Sequence, residues 1–314
     1  MTDAAQSSST AAPLPSPGCP PPHPSPRRPN WVLPANACDT HSHVFGPAAI
    51  FPYAADRTFT PVDVPRDEVL ARQRFLGFQR SVIIQSSCYG LDHTVLLDAL
   101  RSDPEHLRGA AIVTGATTTA ELDELDRAGV RGARLHFMPH LGEALTPIEQ
   151  RAVIDAVHAR NWHVEIHVQG DGIVEHESRL AALEGRVVID HLARVDLRQG
   201  LDSPAVRSVR RLLDLGHVWL KLSAVDRVSL TGPPYPDAVE LARLFAQHAP
   251  ERVLWGTDFP HPNIEGDAPD DGLLVDLVPQ IAPTPAARQL LLVDNPAEVF
   301  DFACTVRETG RSGH

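Results

Sequence analysis

The sequence predicts an α/β fold, a (β/α)8 barrel of the TIM type. After residue 36, eight short apolar runs alternate with longer stretches of helical spacing, and eight parallel strands are the number that closes such a barrel. The 314 residues accommodate one barrel of about 250 residues with additional segments. The same alternation permits an open doubly wound sheet, but there is no Gly-x-Gly-x-x-Gly turn to hold a nucleotide there.

The expected strands are Ala37–His43, Ser81–Ser86, Gly109–Val113, Gly132–His136, His163–Val168, Val187–His191, Val218–Leu222 and Val253–Thr257. Apolar residues three and four apart mark helices such as Asp67–Leu76, Thr94–Arg101, Thr119–Ala128, Pro147–Arg160, Val206–Leu215, Pro236–Gln247 and Thr284–Val293. Thr146-Pro147 and Ser203-Pro204 each place a capping hydroxyl before a first-turn proline. Gly77, Gly129 and Gly216 stand where helices should stop. Residues 1–35 are rich in Pro, Ser and Ala, with Pro20-Pro21-Pro22 at the centre. Too little apolar surface can be buried there to offset the ordering entropy, so a flexible or extended arm is expected, laid over a neighbouring surface or simply disordered. The barrel is assigned to residues 36–303 and a tail to 304–314.

Composition excludes several classes of function. Lys plus Arg is 28 against 40 Asp plus Glu, a formal net charge of −12, with no basic run; a phosphate backbone would repel such a chain, so nucleic acid is not an expected partner. No stretch approaches the roughly 20 apolar residues of a membrane helix, and the N-terminus lacks the apolar segment of a secretory signal. A cytoplasmic protein is expected. The four cysteines form no Cys-x-x-Cys pair and fit reduced thiols.

The chemistry is expected where strands end, at the C-terminal face of a barrel. The first strand ends in Asp39-Thr40-His41-Ser42-His43, and a period of two sends His41 and His43 to one side. The fifth ends in Glu165-Ile166-His167, the sixth in Asp190-His191 and the eighth in Thr257-Asp258. First and eighth strands are neighbours in a closed barrel, which sets the histidine pair beside Asp258. Imidazoles and a carboxylate so placed suit a divalent metal, zinc first and manganese second. Singly, each has a plainer reading: His191 as a core histidine, Asp258 as a cap, Arg134 as the partner of a structural acid such as Glu165, Arg227 as a loop charge. Four strand ends supplying suitable groups together favour a site.

The segments Asp-Thr-His-Ser-His-Val-Phe-Gly-Pro at 39–47, Val-Ile-Asp-His at 188–191, Val-Leu-Trp-Gly-Thr-Asp-Phe-Pro-His-Pro-Asn at 253–263 and Asp-Asp-Gly-Leu-Leu-Val-Asp at 270–276 resemble the amidohydrolase superfamily. The resemblance runs from about Ala37 to Phe302 and is to the branch containing 2-pyrone-4,6-dicarboxylate lactonase and 4-sulfomuconolactone hydrolase. It implies hydrolysis of a lactone, a carboxylic ester, in aromatic-compound breakdown. It also implies that Asp258 accepts the proton of the attacking water, that His191 polarises the carbonyl or orients water, and that Tyr53, Ser86 or Ser87, Arg134 and Arg227 bind substrate. Two arginines suit an anionic substrate, because a guanidinium can grip an oxyanion with paired hydrogen bonds.

Two departures refine this reading. The metal-free dicarboxylate lactonases carry tyrosine where His167 stands, and His167 restores a four-ligand set of His41, His43, His167 and Asp258. Their Lys-Arg pair is replaced by Pro139-His140, which leaves His140 to join His191 in stabilising the oxyanion. With no lysine ending the fourth strand, one metal ion is expected. The sequence thus points to a metal-dependent hydrolase of a small anionic lactone, of the 4-sulfomuconolactone kind. A metal-independent lactonase or lactone isomerase, or a metal-dependent decarboxylase, are the alternatives, and a homo-oligomer is compatible. Glu165 is expected to orient a ligand histidine, or else to pair with Arg134 or His163 within the core.

Overall fold

The computed structural model describes residues 16, 19–136, 146–264 and 266–303. Eight parallel strands follow one another around a single sheet in chain order: β1 (Cys38–Ser42), β2 (Arg80–Ile84), β3 (Leu107–Ala111), β4 (Val130–His136), β5 (His163–His167), β6 (Val187–Ile189), β7 (Val218–Lys221) and β8 (Val253–Leu254). The last strand returns to the first. A parallel bridge joins Ser42 to Phe259, and Thr40 N and His43 N donate to the carbonyls of Trp255 and Phe259 at 3.0 and 2.8 Å.

The helices are α1 (Arg66–Leu76), α2 (Thr94–Ser102), α3 (Thr119–Ala128), α4 (Pro147–His158), α5 (Gly172–Ala181), α6 (Pro204–Leu213), α7 (Val225–Val228), α8 (Pro236–His248), α9 (Asp271–Ile281), α10 (Pro285–Gln289) and α11 (Asn295–Phe300). Their ends follow local chemistry. Thr118 and Thr146 each form a capping box with the glutamate three residues on, and Ser203 caps α6 ahead of Pro204. Gly77 and Gly129 close α1 and α3 in the left-handed conformation.

The expected elements are present, with shifted boundaries. The third strand starts two residues earlier than its apolar run suggested, at Leu107. The helix expected over Thr284–Val293 divides instead into α10, a wide turn at Leu290–Asp294, and α11. Pro296 lacks the N–H that would continue the preceding ladder, which accounts for the looser turn before it.

Two apolar clusters hold the barrel. The larger lies between sheet and helices; the smaller brings Val82, Ile84, Ala110, Val188, Trp219 and Leu254 onto Phe300 and Phe302. Alternation along β7 puts Trp219 on the same side as Lys221, so α11 plugs one end of the barrel and leaves the opposite end for the polar groups. Residues preceding β1 lie along α9: Arg27 pairs with Asp270, Asn30 with Asp276, and Trp31 Nε1 donates to the Val275 carbonyl at 3.1 Å. Among the described residues no helix is long and apolar enough to cross a membrane.

Candidate active site

The junction of β1 with the segment after β8 is built around Asp39. Its buried carboxylate accepts the backbone N–H groups of His41 and Thr257, each at 3.0 Å, the Gln73 amide at 2.8 Å and the Thr257 hydroxyl at 2.5 Å. Burial pushes its pKa up to about 6 in spite of these donors. Gly256 is required at this junction. A Cβ there would lie 2.7 Å from His41 N and 2.9 Å from His41 Cβ, so only glycine lets the two strand ends approach. The chain then turns at Asp258 in the left-handed region, φ 65°.

Three imidazoles converge on Asp258. Its Oδ1 lies 3.4 Å from His43 Nε2, 3.6 Å from His41 Nε2 and 3.9 Å from His191 Nε2. Oδ2 faces the other way and accepts Arg227 Nε and Nη2 at 2.9 and 2.7 Å. Burial opposes the charge most strongly, but the Arg227 guanidinium and the surrounding histidines together outweigh it and hold the carboxyl well below the usual carboxylate range. The far nitrogens of the rings are occupied. His43 Nδ1 donates to the Ile84 carbonyl at 2.8 Å, and His191 Nδ1 meets Ser223 Oγ at 2.9 Å. His41 Nδ1 faces Asp190 Oδ1 at 3.3 Å and Lys221 Nζ at 3.2 Å. Burial, and then the Lys221 ammonium, lower the His41 pKa to about 4, while burial holds His191 well below its ordinary value. Both rings are therefore neutral near pH 7.

Beneath the rings lies a buried ionic cluster. Lys221 Nζ stands 2.5 Å from Glu165 Oε2 and 3.3 Å from Asp190 Oδ1. Arg134 Nε and Nη2 both donate to Asp190 Oδ2, at 3.1 and 2.8 Å, and Nε lies 3.5 Å from Glu165 Oε1. Burial and Asp190 oppose ionisation of Glu165, yet Lys221, His163 and His41 together prevail and its pKa falls to about 2. Glu165 pairs with Lys221, Arg134 and His163, so the acid that faces a site histidine is Asp190.

His43, Ser86, Ser87, Arg134, His167, His191, Arg227 and Asp258 line one cleft. His167 stands with its ring centre 5.6 Å from that of His191. Tyr53 is outside that lining; its hydroxyl donates to Asp63 at 2.7 Å. His140 lies outside the described residues. Lys221, inside what looked like an apolar strand, and Arg194, three residues after His191, were not singled out from sequence, and neither belongs to a local motif.

Ligand atoms of His41, His191 and Asp258 lie within 4.8 Å of one another, and His43 Nε2 borders the same Asp258 oxygen. His41 Nε2 is buried with no hydrogen-bond partner among the described residues. An orphaned ring nitrogen beside a carboxylate, with its far side held by Asp190, fits a seat for a divalent ion.

The Amidohydrolase family profile matches residues 38–302. The 2-pyrone-4,6-dicarboxylate hydrolase of Comamonas testosteroni is 39% identical over 285 residues, 88% of this chain and 93% of that protein. The 4-sulfomuconolactone hydrolase of Rhizobium radiobacter is 37% identical over 277 residues, 86% and 92% of the two chains. Among solved structures, a probable 2-pyrone-4,6-dicarboxylic acid hydrolase from Acinetobacter baumannii with citric acid bound superposes with a TM-score of 0.75. It is 28% identical and is matched over 85% of this chain and all of that one. The barrel agrees with that match, which runs along nearly the whole described chain: the protein is a hydrolase that belongs to the amidohydrolase family.

Proposed function

We propose that the enzyme opens a small anionic lactone by hydrolysis, with Asp258 as the proton acceptor. The observation that carries this reading is the division of labour within Asp258: Oδ2 is fixed by Arg227, while Oδ1 faces the cleft among three ring nitrogens. The names of the relatives, hydrolases of a pyrone dicarboxylate and of a sulfomuconolactone, support a lactone with an anionic substituent.

Water attacks the lactone carbonyl carbon and gives its proton to Asp258 Oδ1. The carbonyl π electrons move to oxygen, where His191 and His140 stabilise the developing charge. Collapse breaks the ring C–O bond, and Asp258 returns the proton to the departing ring oxygen. Ser86, Ser87 and Arg134 line the cleft and hold the substrate; Arg134 retains its Nη1 hydrogens, which no described residue accepts. Tyr53, tied to Asp63, would have to exchange that partner to contribute.

His41, His43 and Asp258 would hold one divalent ion, zinc or manganese, with His167 or His191 completing the set. When bound, such an ion supplies Lewis acidity and lowers the pKa of water. One observation favours the metal-independent mode. Asp190, Glu165 and Asp258 are already balanced by Lys221, Arg134 and Arg227, so the cluster is neutral without an added dication. Elemental analysis of the purified enzyme decides: about one zinc or manganese per chain supports the metal-dependent reading. No metal in protein that still opens the lactone supports the other.

A further inference from the structure

We propose that His261 is a positioning residue: its bond to Asp271 fixes the two carbonyl groups that aim Arg227 at Asp258. The consequence for proton transfer rests on the reading above; the placement of Arg227 does not. The His261 ring is fully buried behind the cleft and does not line it, whereas the next two residues, Pro262 and Asn263, do. Its Nε2 donates to Asp271 Oδ1 at 2.8 Å, and its backbone N–H donates to the Asp258 carbonyl at 2.8 Å. Asp271 is held in turn. It is fully buried at the start of α9, its other oxygen accepts Arg72 Nη1 from α1 at 2.5 Å, and the Arg72 guanidinium lies 4.9 Å over the Phe259 ring. His261 thereby ties the loop after β8 to two helices.

That anchorage matters because of the residues that follow it. The Pro262 carbonyl accepts Arg227 Nη2 at 2.6 Å and the Asn263 carbonyl accepts Nη1 at 2.8 Å. A guanidinium is planar and its donors form a rigid fork. Seating the Nη1–Nη2 edge on two carbonyls therefore sets the direction of the Nε–Nη2 edge, which grips Asp258 Oδ2. The backbone that presents these carbonyls is strained. Asp258, His261 and Asn263 are left-handed, with φ of 65°, 63° and 57°, a conformation that L-residues keep only where the surroundings hold them. At His261 the hold is its own side chain. Without the bond to Asp271 the 261–263 stretch relaxes, the two carbonyls turn away, and Asp258 Oδ2 loses its fixed partner.

Side-chain NMR of the enzyme labelled with 15N-arginine tests this without turnover, through hydrogen exchange at Arg227 Nε–H, assigned by its loss in Arg227→Lys. The informative pair is His261→Asn and His261→Gln. Asn tolerates the left-handed backbone, but its amide nitrogen takes the place of Nδ1 and falls short of Asp271; the Gln amide nitrogen takes the place of Nε2 and reaches it. The wild-type signal should exchange slowly. His261→Asn should speed its exchange about tenfold or more, leave Arg134 Nε–H, held by Asp190, at the wild-type rate, and His261→Gln should recover most of the protection. Should the Asn variant not fold, Asp271→Ser removes the same bond from its other end and should act alike. An unprotected Arg227 Nε–H in the wild type, exchange in the Asn variant within about twofold of wild type, equal acceleration at Arg134 or no recovery with Gln overturns the proposal. On a lactone, His261→Asn should lower kcat about tenfold at unchanged KM, and cost less than about twofold in an Arg227→Lys background, since it acts through that guanidinium. A loss confined to KM, or full additivity of the two substitutions, overturns it as well. A wild type that shows the protection and its loss but opens no lactone refutes the functional reading and leaves the anchorage of Arg227 standing.

Discussion

Asp258 and Asp39 are both buried carboxylates near the end of the same junction, yet their surroundings give them different tasks. Asp39 has four donors inside the protein and serves to join strands; Asp258 has one oxygen committed and one facing a cleft. The histidine pair and Asp258 were legible in sequence because each sits in a short run at a strand end. Lys221 was not, because its meaning lies in Glu165, 56 residues away, and nothing local marks that pairing. Removing the Glu165 charge tests the cluster. Glu165→Gln leaves Lys221 and Arg134 to share Asp190 and should cost about 3–5 kcal/mol of stability at neutral pH. The folded-state pKa is depressed from 4.5 to about 2, so this contribution is complete above 4.5 and is lost as pH falls through 2. Urea melts of both proteins should therefore differ most near neutrality and converge in acid, already measurably at about pH 3; a gap independent of pH would contradict the assigned ionisation.

Among the elements, helix starts were the most legible feature, because a capping hydroxyl and a first-turn proline are adjacent in sequence. The wide turn at Leu290–Asp294 was hidden by regular apolar spacing, which carries no record of how Pro296 unsettles the ladder. The left-handed turn at His191–Arg194 was equally hidden, since none of its four residues is glycine. At Ala193 glycine would relieve about 1–2 kcal/mol of steric cost while losing about 0.8 kcal/mol of methyl burial and about 0.5–1 kcal/mol of chain entropy. Ala193→Gly should thus change stability by less than about 1 kcal/mol. Ala193→Val adds a branched side chain at a fully buried left-handed position and should cost more than about 2 kcal/mol. Equal losses for the two variants in chemical melts would show that the turn is not left-handed.

For the whole molecule, strand number followed from alternation, because a parallel strand must be followed by a crossover before the next; strand order followed only once the closed barrel was preferred to a doubly wound sheet, since consecutive strands are neighbours in a barrel. The path of the segment before β1 did not follow, since proline-rich sequence specifies no partner. Its seat depends on Gly272 at the start of α9, where a Cβ would meet the backbone of Arg27. Gly272→Ala should displace that segment, undo the Arg27–Asp270 and Asn30–Asp276 pairs and speed trypsin cleavage after Arg27, with the barrel's melting temperature little changed. Cleavage at the wild-type rate would show that the segment is not held there.

Proton release measured by pH-stat is the most direct test of the whole account, because opening a lactone to a carboxylic acid at neutral pH liberates one proton. Wild-type enzyme given 4-sulfomuconolactone or 2-pyrone-4,6-dicarboxylate should release one proton per ring opened. Asp258→Asn, folded and melting as wild type, should be slower by about a thousandfold. Substrate consumed without proton release, or an Asp258→Asn variant with near wild-type turnover, would contradict hydrolysis with Asp258 as the proton acceptor.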